Sequence, residues 1–285
     1  MDEHSGKTQK EVQITKLPEL LFQNVNGYVA NFAVGIGVVP RRPQSVVWSC
    51  SGTLVEMNGR PGLLTARHVW QQIRAEKCDI HLMLDKKGYL IDPEHTGEPV
   101  MPVAQGKYME RDDGIPDLCF VPLTMRDRDA VQARNKAFYS IDRRVLFPDS
   151  TKYGFDGFWI VAGAPSALIK NYPDKRTGLG FLMYSTSVRE ERLDVCGWDL
   201  VLVDLNIGSS NPSIPTDLGG LSGGGLWRAR VYVRDSDRAV FLDEDLSRGV
   251  LLSGVVVAQT ELVDRRLLAH GPKSIYDRLH GSAAN

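Results

Sequence analysis

The chain has 285 residues, which at roughly 150 residues per domain allows one large or two smaller packed units with a sizeable core. Hydrophobic residues make up 42% and charged residues 24%, ordinary globular proportions that exclude a wholly disordered or fibrous chain. The net charge is −1 and the charges alternate in sign, so composition carries no footprint of a nucleic-acid or anionic-membrane partner.

In chain order, Met1 to about Lys16 is polar and poor in aromatics and reads as a flexible arm. It lacks the apolar stretch behind a basic start that a secretory signal requires. From Tyr28 to Leu123, short apolar runs broken by turn residues read as strands at Ser45 to Val55, Gly62 to Ala66, Ile80 to Leu84 and Asp117 to Leu123. Asn58-Gly59 sits between two of them as a hairpin signal, since both residues tolerate the positive φ of a type I′ turn. Arg126 to Tyr153 is charge-dense with a poor apolar stripe and reads as a surface connection. Further strands are expected at Gly157 to Ala162, Gly180 to Ser187, Leu200 to Leu205, Leu226 to Val233 and Val250 to Val257. The last of these is far shorter than the ~20 residues needed to span a bilayer. Beyond Thr260, ELVDRRLLAH and KSIYDRLHG carry apolar residues at helical spacing, split by Gly271-Pro272, and predict one or two short closing helices. The expected organisation is an arm (1–25), a first β-unit (26–125), a connection (126–155), a second β-unit (156–262) and a C-terminal helix and tail (263–285). Cys50, Cys78, Cys119 and Cys196 are scattered singly, with neither zinc spacing nor the density of a disulfide scaffold. They read as reduced core thiols of a cytoplasmic protein.

The most unusual segment is Gly219-Gly220-Leu221-Ser222-Gly223-Gly224-Gly225. Glycines permit a tight turn whose amides point inward, as an oxyanion site needs, although a Gly cluster also marks plain surface loops. A serine hydroxyl needs a base, usually a histidine held by a carboxylate. Of the six histidines, His68 lies where an apolar strand, Leu63-Leu64-Thr65-Ala66, gives way to a small-residue turn that can mount a fixed imidazole. Asp117 opens the strongly apolar Leu118-Cys119-Phe120-Val121 and can be half-buried and aimed inward; a turn aspartate after Pro116 is the plainer alternative.

Together these segments resemble the trypsin/chymotrypsin-like serine peptidases. Ser51-Gly52-Thr53-Leu54 followed by Leu64-Thr65-Ala66-Arg67-His68-Val69 is similar to the family's strand, turn and histidine motif. Asp117 to Val121 is similar to its aspartate-led strand, and Gly220-Leu221-Ser222-Gly223-Gly224 to its nucleophile loop, in the family's order. The resemblance implies an all-β fold of two packed antiparallel six-stranded β-barrels with a short C-terminal helix and the active site between them. The catalytic residues would be His68, Asp117 and Ser222, with the N–H groups of Gly220 and Ser222 binding the oxyanion. By the family's offsets Thr216, Asp217, Val257 and Gln259 would line the substrate site. Val257 replaces a common serine, and Gln259 stands where a glycine is usual and would narrow the pocket mouth. Val69 stands where secreted members often carry a bridging cysteine. Leu221 stands where zymogen-activated members carry an aspartate, so activation without N-terminal cleavage is expected.

Two rival readings remain. G-x-S-x-G also marks the nucleophile elbow of α/β-hydrolases, which would need Asp243 or Asp245 with His270 after the serine; a trypsin-like non-catalytic scaffold is the other. The expected activity is that of an intracellular serine endopeptidase without metal or organic cofactor. Its expected partners are a narrow protein or peptide substrate and a regulatory or effector protein of a bacterial defence or regulatory system, with no nucleic acid and no membrane.

Overall fold

A computed structural model describes residues 19–40, 48–84, 88–102, 116–146, 157–171, 177–186, 190–195, 197–204, 215, 217–233, 240–242, 245–260 and 266–283. The fold is all-β, with two antiparallel sheets packed against each other and a short C-terminal helix. Strands of the first half are β1 (Ala33–Pro40), β2 (Trp48–Met57), β3 (Arg60–Thr65), β4 (Cys78–Met83), β5 (Tyr89–Ile91), β6 (Cys119–Pro122) and the two-residue β7 (Tyr139–Ser140). Six of them run in the order β5-β4-β1-β2-β3-β6, and β7 pairs parallel with β2. The second half contains β8 (Gly157–Gly163), β9 (Ile169–Asn171), β10 (Thr177–Leu179), β11 (Leu182–Thr186), β12 (Glu190–Val195), β13 (Trp198–Asp204), β14 (Gly225–Val233), β15 (Val240–Leu242), β16 (Val250–Gln259) and β17 (Arg266–His270). Its path is β11-β8-β14-β16-β17-β13-β12, seven strands with β15 attached to β14, while β9 and β10 form a separate ribbon.

The expected hairpin joins β2 to β3: Asn58 and Gly59 have φ of 52° and 67°, the pair of positive values a type I′ turn requires. β4 alternates buried and half-buried residues, as a strand with one face on a core must. β2 and β8 are buried along nearly their whole length because both faces meet apolar partners. One face of β2 points into the first half's core, with Cys50 and Leu54 among Ile36, Leu63 and Val121. Its other face, with Val55 and Met57, enters a core shared between the halves, which includes Phe120, Phe158, Ile160, Trp227, Leu252 and Tyr276. A third core of Val161, Val201, Leu221, Leu226 and Val256 fills the second half.

Helix α1 (Glu19–Ala30) begins inside the span expected as an arm. Leu21, Phe22, Val25 and Val29 form one apolar face at helical spacing, and Val25 and Val29 are fully buried in the shared core. Helix α2 (Arg67–Ala75) follows β3. In the connecting segment, α3 (Met125–Gln132) is started by a Thr124/Asp127 capping box, and α4 (Ile141–Leu146) follows β7, with Tyr139 and Ile141 buried in the shared core.

The helix expected over Glu261 to His270 is corrected: Arg266–His270 is the strand β17, and 261–265 lie outside the described residues. The ladder overrides the helical spacing, because β17 is paired on both sides, with β13 and β16, and buries Leu267 and Ala269 in the second core. The KSIYDRLHG expectation holds, with a wide-wound helix at Ser274–Leu279 continuing into His280–Ala283. Among the described residues no helix is long and apolar enough to cross a membrane.

Candidate functional site

β3 ends at Thr65, Ala66 takes an extended N-cap conformation, and α2 begins at Arg67. Val69, Trp70 and Ile73 turn into the first core and leave the His68 side chain 39% exposed. The N–H of His68 belongs to the first helical turn, where amides have no intrahelical acceptor. Asp117 supplies one: its Oδ1 accepts that N–H at 2.8 Å, and its Oδ2 accepts Nδ1–H of the same residue at 2.6 Å. Asp117 is 4% exposed and sits just before β6, so the buried carboxylate caps α2 and holds the imidazole at once. A helix N-terminus favours negative charge there. With Nδ1 carrying the proton that Asp117 accepts, Nε2 is the basic nitrogen and faces away from the carboxylate.

Leu218 to Gly224 forms a loop in which almost every peptide is held. The Gly219 carbonyl accepts Ser166 N–H at 2.6 Å, the Ser222 carbonyl accepts Ser51 N–H at 3.0 Å, and the Leu221 carbonyl accepts Gly224 N–H at 2.7 Å. The Gly220 carbonyl accepts the Ser51 hydroxyl at 2.7 Å. Leu221 N–H donates to the Leu218 carbonyl at 3.0 Å and Gly223 N–H to the Val256 carbonyl at 2.7 Å. A trans peptide points its C=O and N–H in opposite directions, so anchoring the Gly219 and Leu221 carbonyls turns the N–H groups of Gly220 and Ser222 the other way. Among the described residues those two amides have no protein acceptor. Gly220 and Gly223 both have φ of +89°, and a Cβ on Gly223 would stand 2.1 Å from the Ser51 carbonyl oxygen; glycine is required at each on these grounds. Leu221 is buried in the second core.

Ser222 Oγ–H donates to the Val257 carbonyl at 3.2 Å and makes no hydrogen bond to His68. Free serine hydroxyls commonly rest on another acceptor and align with the base only when substrate is bound. Val257, at the bulge where the β16 and β17 register shifts, buries its side chain in the first half's core, which also holds Val69 and Cys119. Gln259 reaches from β16 across to the loop, its Oε1 accepting Leu218 N–H at 2.9 Å. Asp217 is exposed, and its Oδ1 turns back to accept Gly219 N–H at 2.8 Å. Thr216 lies outside the described residues.

The structure thus brings His68 and Asp117 into direct contact and places Ser222 in a loop whose Gly220 and Ser222 N–H groups have no acceptor among the described residues. Sequence reasoning assigned no role to Ser166 or to the side chain of Ser51, whose partners are remote in the chain; only the serine's place in the Ser51-Gly52-Thr53-Leu54 motif pointed there. The nucleophile-elbow alternative is overturned, since the loop runs into strand β14 and the sheets are antiparallel, whereas an elbow leads from a strand of a parallel sheet into a helix. Cys50, Cys78 and Cys119 are free and buried, and burial pushes the thiols of Cys50 and Cys119 far above their ordinary range.

No family model and no curated protein matches the chain. Among solved structures it is similar to the thermostable serine protease AL20 from an extremophilic microorganism, with 12% identity, a TM-score of 0.47 and coverage of 90% of this chain and 99% of that one. It is also similar to the Rv3671c protein of M. tuberculosis H37Rv in an inactive form, with 12% identity, a TM-score of 0.46 and 94% of each chain covered. A third similar structure is the protease Anisep from Arthrobacter nicotinovorans, with 11% identity, a TM-score of 0.45 and 90% and 96% covered.

Proposed function

We propose that this chain is a serine endopeptidase working through Ser222, His68 and Asp117. The observation that carries the reading is the pair of hydrogen bonds that the Asp117 carboxylate accepts from the backbone N–H and Nδ1–H of His68, which leaves Nε2 as a base of defined tautomer. Ser222 Oγ leaves the Val257 carbonyl and gives its proton to His68 Nε2 as the oxygen attacks a peptide carbonyl. The oxygen of that carbonyl becomes an oxyanion received by the N–H groups of Gly220 and Ser222. Protonated His68, stabilised by the Asp117 carboxylate, returns the proton to the departing amine. Water then repeats the sequence on the acyl-enzyme, and Ser222 is regenerated. The buried packing of Leu221 supports a loop ordered without a newly released N-terminus.

Gln259 tied to Leu218 supports a restricted primary pocket. The exposed Asp217, occupied by its own loop amide, is less suited to receive a basic substrate side chain. An intracellular setting, a narrow protein substrate and restraint by a partner protein belong to the same reading. A binding scaffold is the competing one, favoured by the resting bond of Ser222 to Val257. Fluorophosphonate labelling decides: the intact chain is expected to form an adduct at Ser222, absent in Ser222→Ala, and an unlabelled wild type favours the scaffold. A cleavage-site profile of wild type against Ser222→Ala then reads the substrate.

A further inference from the structure

Side chains alternate along a strand, so β2, which sends Cys50 and Leu54 into the first core and Val55 and Met57 into the shared one, also turns Ser49, Ser51 and Thr53 toward the second half. Four hydrogen bonds meet at Ser51, which is fully buried. Its N–H donates to the Ser222 carbonyl at 3.0 Å. Its carbonyl accepts the Thr65 hydroxyl at 3.0 Å. Its own hydroxyl accepts Ala164 N–H at 2.8 Å and donates to the Gly220 carbonyl at 2.7 Å. A hydroxyl has one proton; with Ala164 as donor, that proton is committed to Gly220.

We propose that Ser51 is a positioning residue for the two oxyanion-binding amides, an inference that rests on the hydrolase reading of Ser222. Gly220 sits between two anchored carbonyls: that of Gly219 on Ser166 N–H and its own on Ser51 Oγ–H. The first fixes the peptide that carries the Gly220 N–H, and the second fixes the Gly220–Leu221 peptide that joins it to the peptide carrying the Ser222 N–H. Ser166 is itself braced by β2, since its hydroxyl bonds the Ser49 carbonyl at 3.3 Å, two residues before Ser51 on the same face. Without the Ser51 hydroxyl, the half-buried Gly220 carbonyl loses its side-chain partner. Leaving such a group unsatisfied is unfavourable, so the Gly220–Leu221 peptide rotates to find water, and because it lies between the two peptides that carry the Gly220 and Ser222 N–H groups, its rotation draws those amides off line. Thr65, bonded to the Ser51 carbonyl, lies directly before the turn into α2 and His68. One strand residue therefore ties the base of the first half to the oxyanion amides of the second.

The test compares wild type, Ser51→Ala and Ser51→Cys. Two quantities are read: the second-order rate of fluorophosphonate labelling across pH, and amide hydrogen exchange over residues 217–224. Since losing an oxyanion donor outright costs about 10²–10³-fold, misaligning one should lower the plateau rate of Ser51→Ala about 10- to 100-fold. Ser51→Cys, which keeps a weaker donor, should fall less. The pH midpoint should stay at its wild-type value, because His68 and Asp117 are untouched, while exchange over 217–224 accelerates. A plateau within about twofold of wild type, or a fall accompanied by a displaced midpoint, overturns the proposal. If the wild type itself is not labelled, the hydrolase reading fails and exchange alone decides: unchanged protection in both variants removes the role of Ser51.

Discussion

The Asp117 carboxylate spends its two oxygens on two donors of one residue, the N–H and the Nδ1–H of His68. An amide in its place has one acceptor and one donor group. In Asp117→Asn, an amide oxygen that keeps the backbone N–H turns the NH₂ toward Nδ1, which then holds no proton. The proton moves to Nε2, and the imidazole can no longer take one from Ser222. The expected outcome is a fall of about 10⁴-fold in kcat, with a melting curve close to wild type; peptidase kinetics and circular dichroism on the same preparation check it. A comparable loss of fold would assign Asp117 to the helix cap alone. Elsewhere, Tyr28 has its phenol pushed up to about 12 by burial, with Tyr139 adding to the effect, so it serves packing near the Arg144 guanidinium and stays neutral at working pH.

The β2–β3 hairpin and the C-terminal helix meet at another carboxylate. Asp142 on α4 accepts Asn58 N–H at 2.7 Å and Gly59 N–H at 2.9 Å, the amides of the turn, and bonds His280 Nε2 at 2.8 Å. Burial alone would raise its pKa, but the Gly59 and Asn58 amides and His280 outweigh it and hold it below the usual carboxylate value. A group with a depressed folded pKa stabilises the fold above its unfolded pKa of ~3.9, and that stabilisation is lost as pH falls through the folded value. Asp142→Asn should therefore be less stable than wild type at neutral pH by about 1 kcal/mol or less, since the site is partly solvated. The gap should close as pH drops below about 4. Urea melts of both proteins between neutral and acid pH measure it; a gap independent of pH would mean that shape rather than charge holds the turn.

At the scale of the molecule, the halves share a core and not merely a boundary. The Trp227 ring on β14 lies 5.6 Å from Phe32 and 5.1 Å from Tyr139, centroid to centroid, with residues of both sheets around them. Arg144 binds the same region together, its guanidinium reaching the Tyr139 hydroxyl and the Val250 carbonyl. Two domains joined only by a connection would unfold separately, whereas two that share a core unfold together. Trp227→Ala should cost about 3–5 kcal/mol and shift one cooperative denaturation transition to lower urea. Two separated transitions in the wild type, followed by intrinsic fluorescence and far-UV circular dichroism, would contradict the shared core. The same coupling keeps Ser222 in register with His68, since the two arise from different halves.

What the sequence alone determined is what short stretches of chain determine. Asn58-Gly59 announced its turn because positive φ is a property of two adjacent residues, and the β-branched runs announced most strands because alternation is local. Ser222, His68 and Asp117 stood out because their surroundings are unusual even without contacts. Other features required remote partners. Arg266–His270 has helical spacing but is a strand because β13 and β16 flank it, and Glu19–Ala30 escaped notice until a core existed to receive Val25 and Val29. Ser51 acquired three of its four bonds, those to Gly220, Ala164 and Ser222, only when residues more than a hundred positions apart were packed face to face. Hydrogen bonds and buried surface between distant segments depend on the whole chain's arrangement, so tertiary structure alone decided how the nucleophile loop is held.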